Sequence, residues 1–306
     1  MERRIVPVSV VICTRDRPAD LNRCLESLAL LDPQPLEVIV VDQGSPPAVL
    51  SSATLRVLHR PIAERGLSRA RNHGLGVARG DVIAFLDDDC VVGATWAGDV
   101  AAIFERDPDA GIVFGTVIGV SADPDDYVPA YAISRERRLV GRTAAARAHG
   151  IGAAMYLRAA TAAVVGTFDT RLGAGGEFRS SEDWDYSFRA LCSGTSIVET
   201  PTVVVRHLGA KRYSDGTAAR LLRWNAFSHG AVHAKLLRCG DWIAIVLMSN
   251  ELLSLTAAVR PWNALWRRPT NAARLYMYVR GLGAGLRAPV SKSEMLFREV
   301  VSVARA

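Results

Sequence analysis

Residues 81–90 read DVIAFLDDDC. Val82 to Leu86 form an unbroken apolar run, and a run this short, bounded by turn signals, fits a strand buried on both faces. Asp87, Asp88 and Asp89 then fall where the strand ends. Three adjacent carboxylates repel one another, so water, a cation or a positively charged ligand must offset the charge. A hard divalent ion such as Mg²⁺ or Mn²⁺ takes oxygen ligands and is commonly held by one or two carboxylates plus substrate phosphates. Taken alone, the stretch reads first as a solvated acidic turn and second as a metal site.

Working outward, Ile5 to Cys13 is valine-rich and fits a central parallel strand. The polar TRDRP after it marks a strand-to-helix loop, and Leu21, Cys24, Leu25 and Leu28 share one helical face. Leu36 to Val41 is a second strand ending in Asp42, Leu55 to Leu58 a short third, and Leu67 to Arg79 a helix leading into the opening stretch. Strands alternating with helices imply an α/β fold with a mainly parallel sheet. Ligands of such sheets bind beyond the carboxyl ends of the strands, where Thr14, Asp42 and Asp87 to Asp89 converge.

Farther along, Trp96 to Arg106 reads as a helix and Gly111 to Val120 as a strand. Ser121 to Gly150 is loop-rich, and such stretches often carry specificity. Gly152 to Leu157 reads as an edge strand and Ala159 to Val165 as a short helix. In LGAGGEFRSSEDWDYSFRALCSG, Gly173, Gly175 and Gly176 permit unusual backbone angles. Ser180 or Ser181 can cap a helix running to about Cys192. Ser196 to Arg206 is extended and terminates at His207, and the chain beyond Asp215 has helical periodicity in about four segments. The expected organisation is two halves of one α/β domain (1–110 and 111–214) and a helical region (215–306).

The 306 residues, 49% of them hydrophobic, suffice for a large core. Five cysteines without CxxC spacing point to reduced thiols in a cytoplasmic protein. The N-terminal MERRIVPVSVVIC reads as a first strand, since Pro7 and Ser9 interrupt its apolar run and no small-residue cleavage site follows. The net charge is +6, with Arg260, Arg267, Arg268, Arg274, Arg280 and Arg287 punctuating apolar segments late in the chain. That pattern suits an anionic membrane surface or nucleic acid. Trp242 to Val259, the most apolar stretch, is broken by Asn250 and Glu251 and falls short of a spanning helix.

VSVVICTRDRP, EVIVVDQGS, GLSRARNHGL, VIAFLDDDC and LGAGGEFRSSEDWDYSFRAL together resemble the family 2 glycosyltransferases, over residues 5 to 208. The resemblance implies a GT-A type nucleotide-binding sandwich and a metal-dependent, inverting transfer from a nucleotide-diphosphate sugar to a glycan or lipid-linked acceptor. It implies Asp89 as a ligand of Mn²⁺ or Mg²⁺, with Asp87 or Asp88 holding the ribose or the water shell of the ion. Asp183 is then the base, and Glu182 orients the acceptor or supports the loop. Thr14 and Asp42 are implied as nucleotide contacts, although Gln43 stands where many relatives have a second acid. Arg71 and Asn72 match a recurrent helix signature that serves either the ligand or a structural bridge.

His207 is a third candidate metal ligand, or a polar residue at a strand end. Lys211 and Arg212 could neutralise a diphosphate or form a solvated basic turn, and Trp184 could stack on a sugar or pack in the core. RLLRWNAFSHGAVHAKLLR and WNALWRRPTNAARLYMYVRG suit helices at the inner face of a membrane, or an ordinary helical subdomain. A sugar-nucleotide pyrophosphorylase would need a glycine-rich loop after the first strand, and residues 1 to 20 contain no glycine. A non-catalytic nucleic-acid binder leaves the carboxylates of Asp87 to Asp89, Glu182 and Asp183 unexplained, since they repel phosphate.

Overall fold

The computed structural model describes residues 6–48, 55–148, 150–257 and 271–299. Its elements run β1 (Val8–Thr14), α1 (Pro18–Ala29), β2 (Glu37–Asp42), β3 (Val57–Pro61), α2 (Leu67–Val77), β4 (Val82–Asp87), β5 (Cys90–Val92), α3 (Trp96–Arg106) and β6 (Ala110–Gly119). There follow β7 (Asp126–Tyr127), β8 (Arg137–Leu139), β9 (Met155–Arg158), α4 (Ala159–Val165), α5 (Glu182–Cys192), β10 (Ser196–His207) and β11 (Lys211–Arg212). The chain closes with α6 (Thr217–Arg238), α7 (Ile243–Ala257), α8 (Asn271–Arg287) and a hairpin of β12 (Val290–Ser291) and β13 (Leu296–Phe297).

The main sheet has the order β3-β2-β1-β4-β9-β6-β10-β5, with β8 on the side of β10. Its first four strands are parallel, as their apolar runs require. Register sets Thr14 beside Asp42 and Cys13 beside Asp87, so the carboxyl ends of β2, β1 and β4 share one edge. The stretch expected as an edge strand is central instead. Gly152 to Ala154 form a short 3-10 turn, and β9 then runs antiparallel between β4 and β6. Both its neighbours cover it, which explains why Met155, Tyr156 and Leu157 are fully buried. The third strand begins two residues later than its composition suggests, and Ile5 lies outside the described residues.

Apolar side chains fill both faces of the sheet. On one, Val10 and Ile12 meet Leu21, Cys24, Leu25 and Leu28, the expected stripe of α1. On the other, Val11, Ile39 and Phe85 meet Phe168, Tyr186 and Phe188. Each such side chain contributes about 1.5–3 kcal/mol on burial, so these two layers fix the sheet edge that carries the polar residues.

The helices after Asp215 dock on this body through a buried charge cluster. Lys235 of α6 is fully buried, with Nζ 2.8 Å from Asp169 and 2.6 Å from Asp185 of α5. Asp169 also accepts the Phe297 N–H at 2.8 Å, tying in the terminal hairpin. Close packing of α6 on α8 depends on Gly230 and Gly281, where a Cβ would stand 2.1 and 1.9 Å from backbone oxygens. The sequence-predicted helical segment around residues 258–270, with Arg260, Arg267 and Arg268, lies outside the described residues. Among the described residues no helix is long and apolar enough to cross a membrane.

Replacing Lys235 by Ala would leave two buried carboxylates without their cation. The expected loss is about 3–5 kcal/mol of stability, read from urea denaturation, and a loss under about 1 kcal/mol would contradict the anchoring role.

Candidate active site

Two of the three DDD carboxylates are buried, Asp88 and Asp89 at 4% and 8% exposure, while the Asp87 side chain is 33% exposed. Each of the three carboxylates finds its own positive partner. Asp88 accepts hydrogen bonds from the Thr14 hydroxyl at 2.7 Å and from Arg17 at 3.0 Å. The same Arg17 nitrogen lies 3.1 Å from Asp89, whose other oxygen is 3.0 Å from His207 Nε2. Asp87 faces Arg71 at 3.5 Å.

The electrostatics follow this division. Burial pushes the Asp87 carboxyl up against the pull of Arg71, and pushes Asp88 up to about 6 against Arg17 and Thr14. Burial acts upward on Asp89 as well, but the His207 hydrogen bond and the His207 and Arg17 charges outweigh it and hold Asp89 below the usual carboxylate range. Burial disfavours the His207 cation, yet Asp89 raises its pKa above the ordinary imidazole value.

Topology makes the Asp89–His207 pair. His207 ends β10 opposite Cys90 of the antiparallel β5, one residue from Asp89. Gly209 lets the chain turn past, since a Cβ there would stand 2.0 Å from an Asp89 oxygen. Asp89, Cys90 and His207 offer ligand atoms within 4.8 Å of one another. Burial pushes the Cys90 thiol far up, and a hard ion does not take a protonated thiol. The carboxylate and imidazole remain. Asp89 offers a carboxylate oxygen and His207 an imidazole nitrogen 3.0 Å apart, donor types that such an ion takes. The residues present therefore fit Mn²⁺ or Mg²⁺.

A second group of residues begins α5. Gly173 and Gly175 adopt φ of +81° and +84°, as their placement before the helix suggests. The expected serine cap does not form. Ser181 sits at the N-cap with φ +68°, and its buried hydroxyl has no hydrogen-bond partner. Asp183 is oriented by backbone instead, one oxygen accepting Gly152 N–H and the other Trp184 N–H, both at 2.7 Å. Glu182 accepts from Arg71 at 2.9 Å. Burial and the adjacent Asp183 push its carboxyl up, with Arg71 opposing them.

Arg71 thus spans both groups. It is 2% exposed and lies over the rings of Phe85 and Phe168 at 5.5 and 5.6 Å. Asn72 takes the structural role, exchanging two hydrogen bonds with the Phe168 backbone. Arg212 is half exposed and paired with Asp123 at 2.9 Å and Asp125 at 3.3 Å. Asp42 accepts from Gly44 N–H at 2.8 Å and Ala48 N–H at 2.7 Å and contacts His59 at 3.0 Å, which shapes the loop beyond β2.

Arg71, Asp87, Glu182, Asp183 and His207 line one cavity of about 600 Å³. Thr14, Asp42, Asp88 and Asp89 lie beyond its wall, along the strand ends. Trp184 also lines it, stacked on Phe188 at 5.6 Å, so it both packs and borders the site. Arg17 and Gly152 were missed from the sequence. The sequence signal for Arg17 was present, a cation in the loop after β1 facing an acidic strand end; for Gly152 N–H there was none.

Sheet order, strand-end carboxylates and the α5 pair define a GT-A type glycosyltransferase. Residues 9–180 match the family described as Glycosyl transferase family 2. The chain belongs to that family. It is 29% identical over 278 residues to the pre-mycofactocin glycosyltransferase of Mycobacterium tuberculosis, covering 82% of this chain and 56% of that one. The chain thus spans about half the length of that curated relative. A glucosyl-dolichyl phosphate glucuronosyltransferase of Haloferax volcanii is 32% identical over 119 residues, 36% of this chain and 38% of that one. Among solved structures, the mannosyltransferase PcManGT of Pyrobaculum calidifontis, in complex with GDP-Man and Mn²⁺, aligns with a TM-score of 0.56 at 19% identity. That alignment covers 94% of this chain and 76% of the other.

His233, on the cavity wall, is held neutral: burial, then His229, pushes its imidazole down to about 3. Unfolded, it takes up a proton near the ordinary value of about 6.5. Between these values the unfolded chain binds more protons, so stability falls as pH drops through 6.5 towards 3, by up to about 1.4 kcal/mol per pH unit. Denaturation at pH 7.5 and 5.0 should show this loss, and His233→Gln should reduce it; an identical loss in the variant would assign it elsewhere.

Proposed function

We propose that this glycosyltransferase is inverting and metal-dependent, and moves a sugar from a nucleoside-diphosphate sugar to an acceptor hydroxyl. The observation that carries the reading is the shared cavity: Asp87 and His207 enter it from strand ends, and Asp183 from the start of α5. Asp89 and His207 would hold the cation, which when bound would supply positive charge for the departing diphosphate. A protein of the same fold is in complex with GDP-Man and Mn²⁺, which supports a donor and a cation of those classes.

The acceptor oxygen bonds to the anomeric carbon as the bond from that carbon to the phosphate oxygen breaks, through an oxocarbenium-like state. The acceptor proton passes to the Asp183 carboxylate. Two backbone N–H groups aim that carboxylate and leave each oxygen a further lone pair for the incoming proton. Glu182 and Arg71 hold the start of α5 against β4, and Thr14, Asp42, Asp87 and Asp88 border the nucleotide. The pyrophosphorylase and nucleic-acid readings have no support beside the family membership.

Trp242 just before α7, Ile245 and Leu253 of α7, and Tyr276, Val279 and Leu286 of α8 are each at least half exposed. With the exposed Arg280 and Arg287, this surface fits the anionic inner face of a membrane and a lipid-linked acceptor. Trp242→Ser combined with Leu253→Ser should reduce co-sedimentation with phosphatidylserine vesicles; undiminished sedimentation would exclude the surface.

Asp183→Asn should keep nucleotide-sugar binding and lower transfer by at least about a hundredfold, measured as nucleoside diphosphate release with acceptor present. Near-normal turnover would place the base elsewhere. Asp89→Ala should abolish the Mn²⁺-dependent thermal stabilisation by nucleotide, and unchanged stabilisation would remove Asp89 from the ion.

A further inference from the structure

The cavity has a second end, built by residues beyond the family-matched segment. Asn225 and His229 of α6 and Asn250 and Glu251 of α7 line the same space as Asp183. A short path of rings joins the two ends. Trp184 lies 6.1 Å from His233, and His233 lies 6.4 Å from His229. His229 Nδ1 is 3.4 Å from Glu251.

The chemistry of this end is specific. Burial acts upward on Glu251, but the His229 hydrogen bond and the nearby positive charges outweigh it, so the group is a carboxylate that accepts hydrogen bonds. His233 is neutral, and its Nδ1 is paired with the Tyr278 hydroxyl at 2.9 Å. The side-chain amides of Asn225 and Asn250 line this end, and each carries two donors and an acceptor. Of the arginines on the wall, Arg71 is paired with Glu182 and Asp87, while Arg179 lies over the Trp224 ring at 5.1 Å.

We infer that this end is an acceptor subsite for a neutral pyranose, an inference that rests on the transferase reading above. A carboxylate repels phosphate and carboxylate groups, while a carboxylate with two amides matches the donors and acceptors of neighbouring sugar hydroxyls. Trp184 supplies an apolar ring for the C–H face of the sugar. The acceptor hydroxyl then belongs to a sugar, and where that sugar is a glycoside the reaction that supplies it is itself a sugar transfer whose product this enzyme extends.

Saturation-transfer NMR on the full chain tests this with phenyl β-pyranosides of glucose, galactose and mannose, against phenol and phenyl phosphate. At least one glycoside should receive saturation on its ring protons, and Glu251→Gln and Asn225→Ala should each weaken its binding about tenfold. Melting temperatures should confirm that both variants remain folded; if one does not, the other decides. Binding of phenol or phenyl phosphate equal to that of the glycosides would overturn the inference. So would glycoside binding that neither variant weakens, or no glycoside binding by a chain that nucleotide and Mn²⁺ stabilise. Absence of that nucleotide response would instead count against the transferase reading itself.

Discussion

A single buried guanidinium ties the two halves of the site together. Arg71 is 2% exposed, and removing its charge from water costs several kcal/mol unless anions return it. It obtains them from Asp87, at the end of a central strand, and from Glu182, at the start of α5. Neither anion is next to the other in sequence, so the charge requirement of Arg71 becomes a geometric constraint. The strand end and the helix start must stay within one side chain of each other. Gly152 belongs to the same constraint, because a Cβ there would stand 2.6 Å from Arg71, and its N–H orients Asp183.

The helical region obeys a parallel rule. Lys235 needs the carboxylates of Asp169 and Asp185, and Asp185 lies two residues after Asp183 on α5. Asp185 also receives Arg189 at 3.1 Å, so its charge is shared between two buried cations. The helix that presents the proposed base is therefore gripped by Arg71 near its first residue and by Lys235 a turn later. This is why α6 and α7 can wall the cavity at fixed distance from Asp183 instead of forming an independent appendage.

Much of this was legible in the sequence, and the reasons differ from element to element. Strands β1, β2 and β4 announce themselves because burial on both faces demands unbroken apolar runs, and the carboxylates at their ends follow by connectivity. The glycines before α5 and the acidic pair opening it were equally visible. The central position of β9 was not, because the side-chain pattern of a four-residue strand says nothing about which strands flank it. The pairing of His207 with Asp89 depends on β5 turning back against β10, and the joining of Asn225, His229 and Glu251 to Asp183 depends on helix docking. Both are long-range facts that no local spacing encodes. The serine cap failed for a physical reason as well: Ser181 lies in the left-handed region, from which its hydroxyl does not reach the free N–H groups of the helix.

That failure bears on how the site is held. A non-glycine residue in the left-handed region costs about 1–2 kcal/mol, and the buried Ser181 hydroxyl adds the cost of an unmet partner. Such a conformation persists where its surroundings over-determine it. Here they do so from both sides. Gly173 N–H donates to the Ser180 carbonyl behind it, while Glu182 and Asp183 ahead are fixed by Arg71 and Gly152. The turn at Ser181 is thus imposed by the carboxylate anchors, not chosen by the serine. The direction of the Asp183 side chain follows from two backbone N–H groups, Gly152 just before β9 and Trp184 of its own helix.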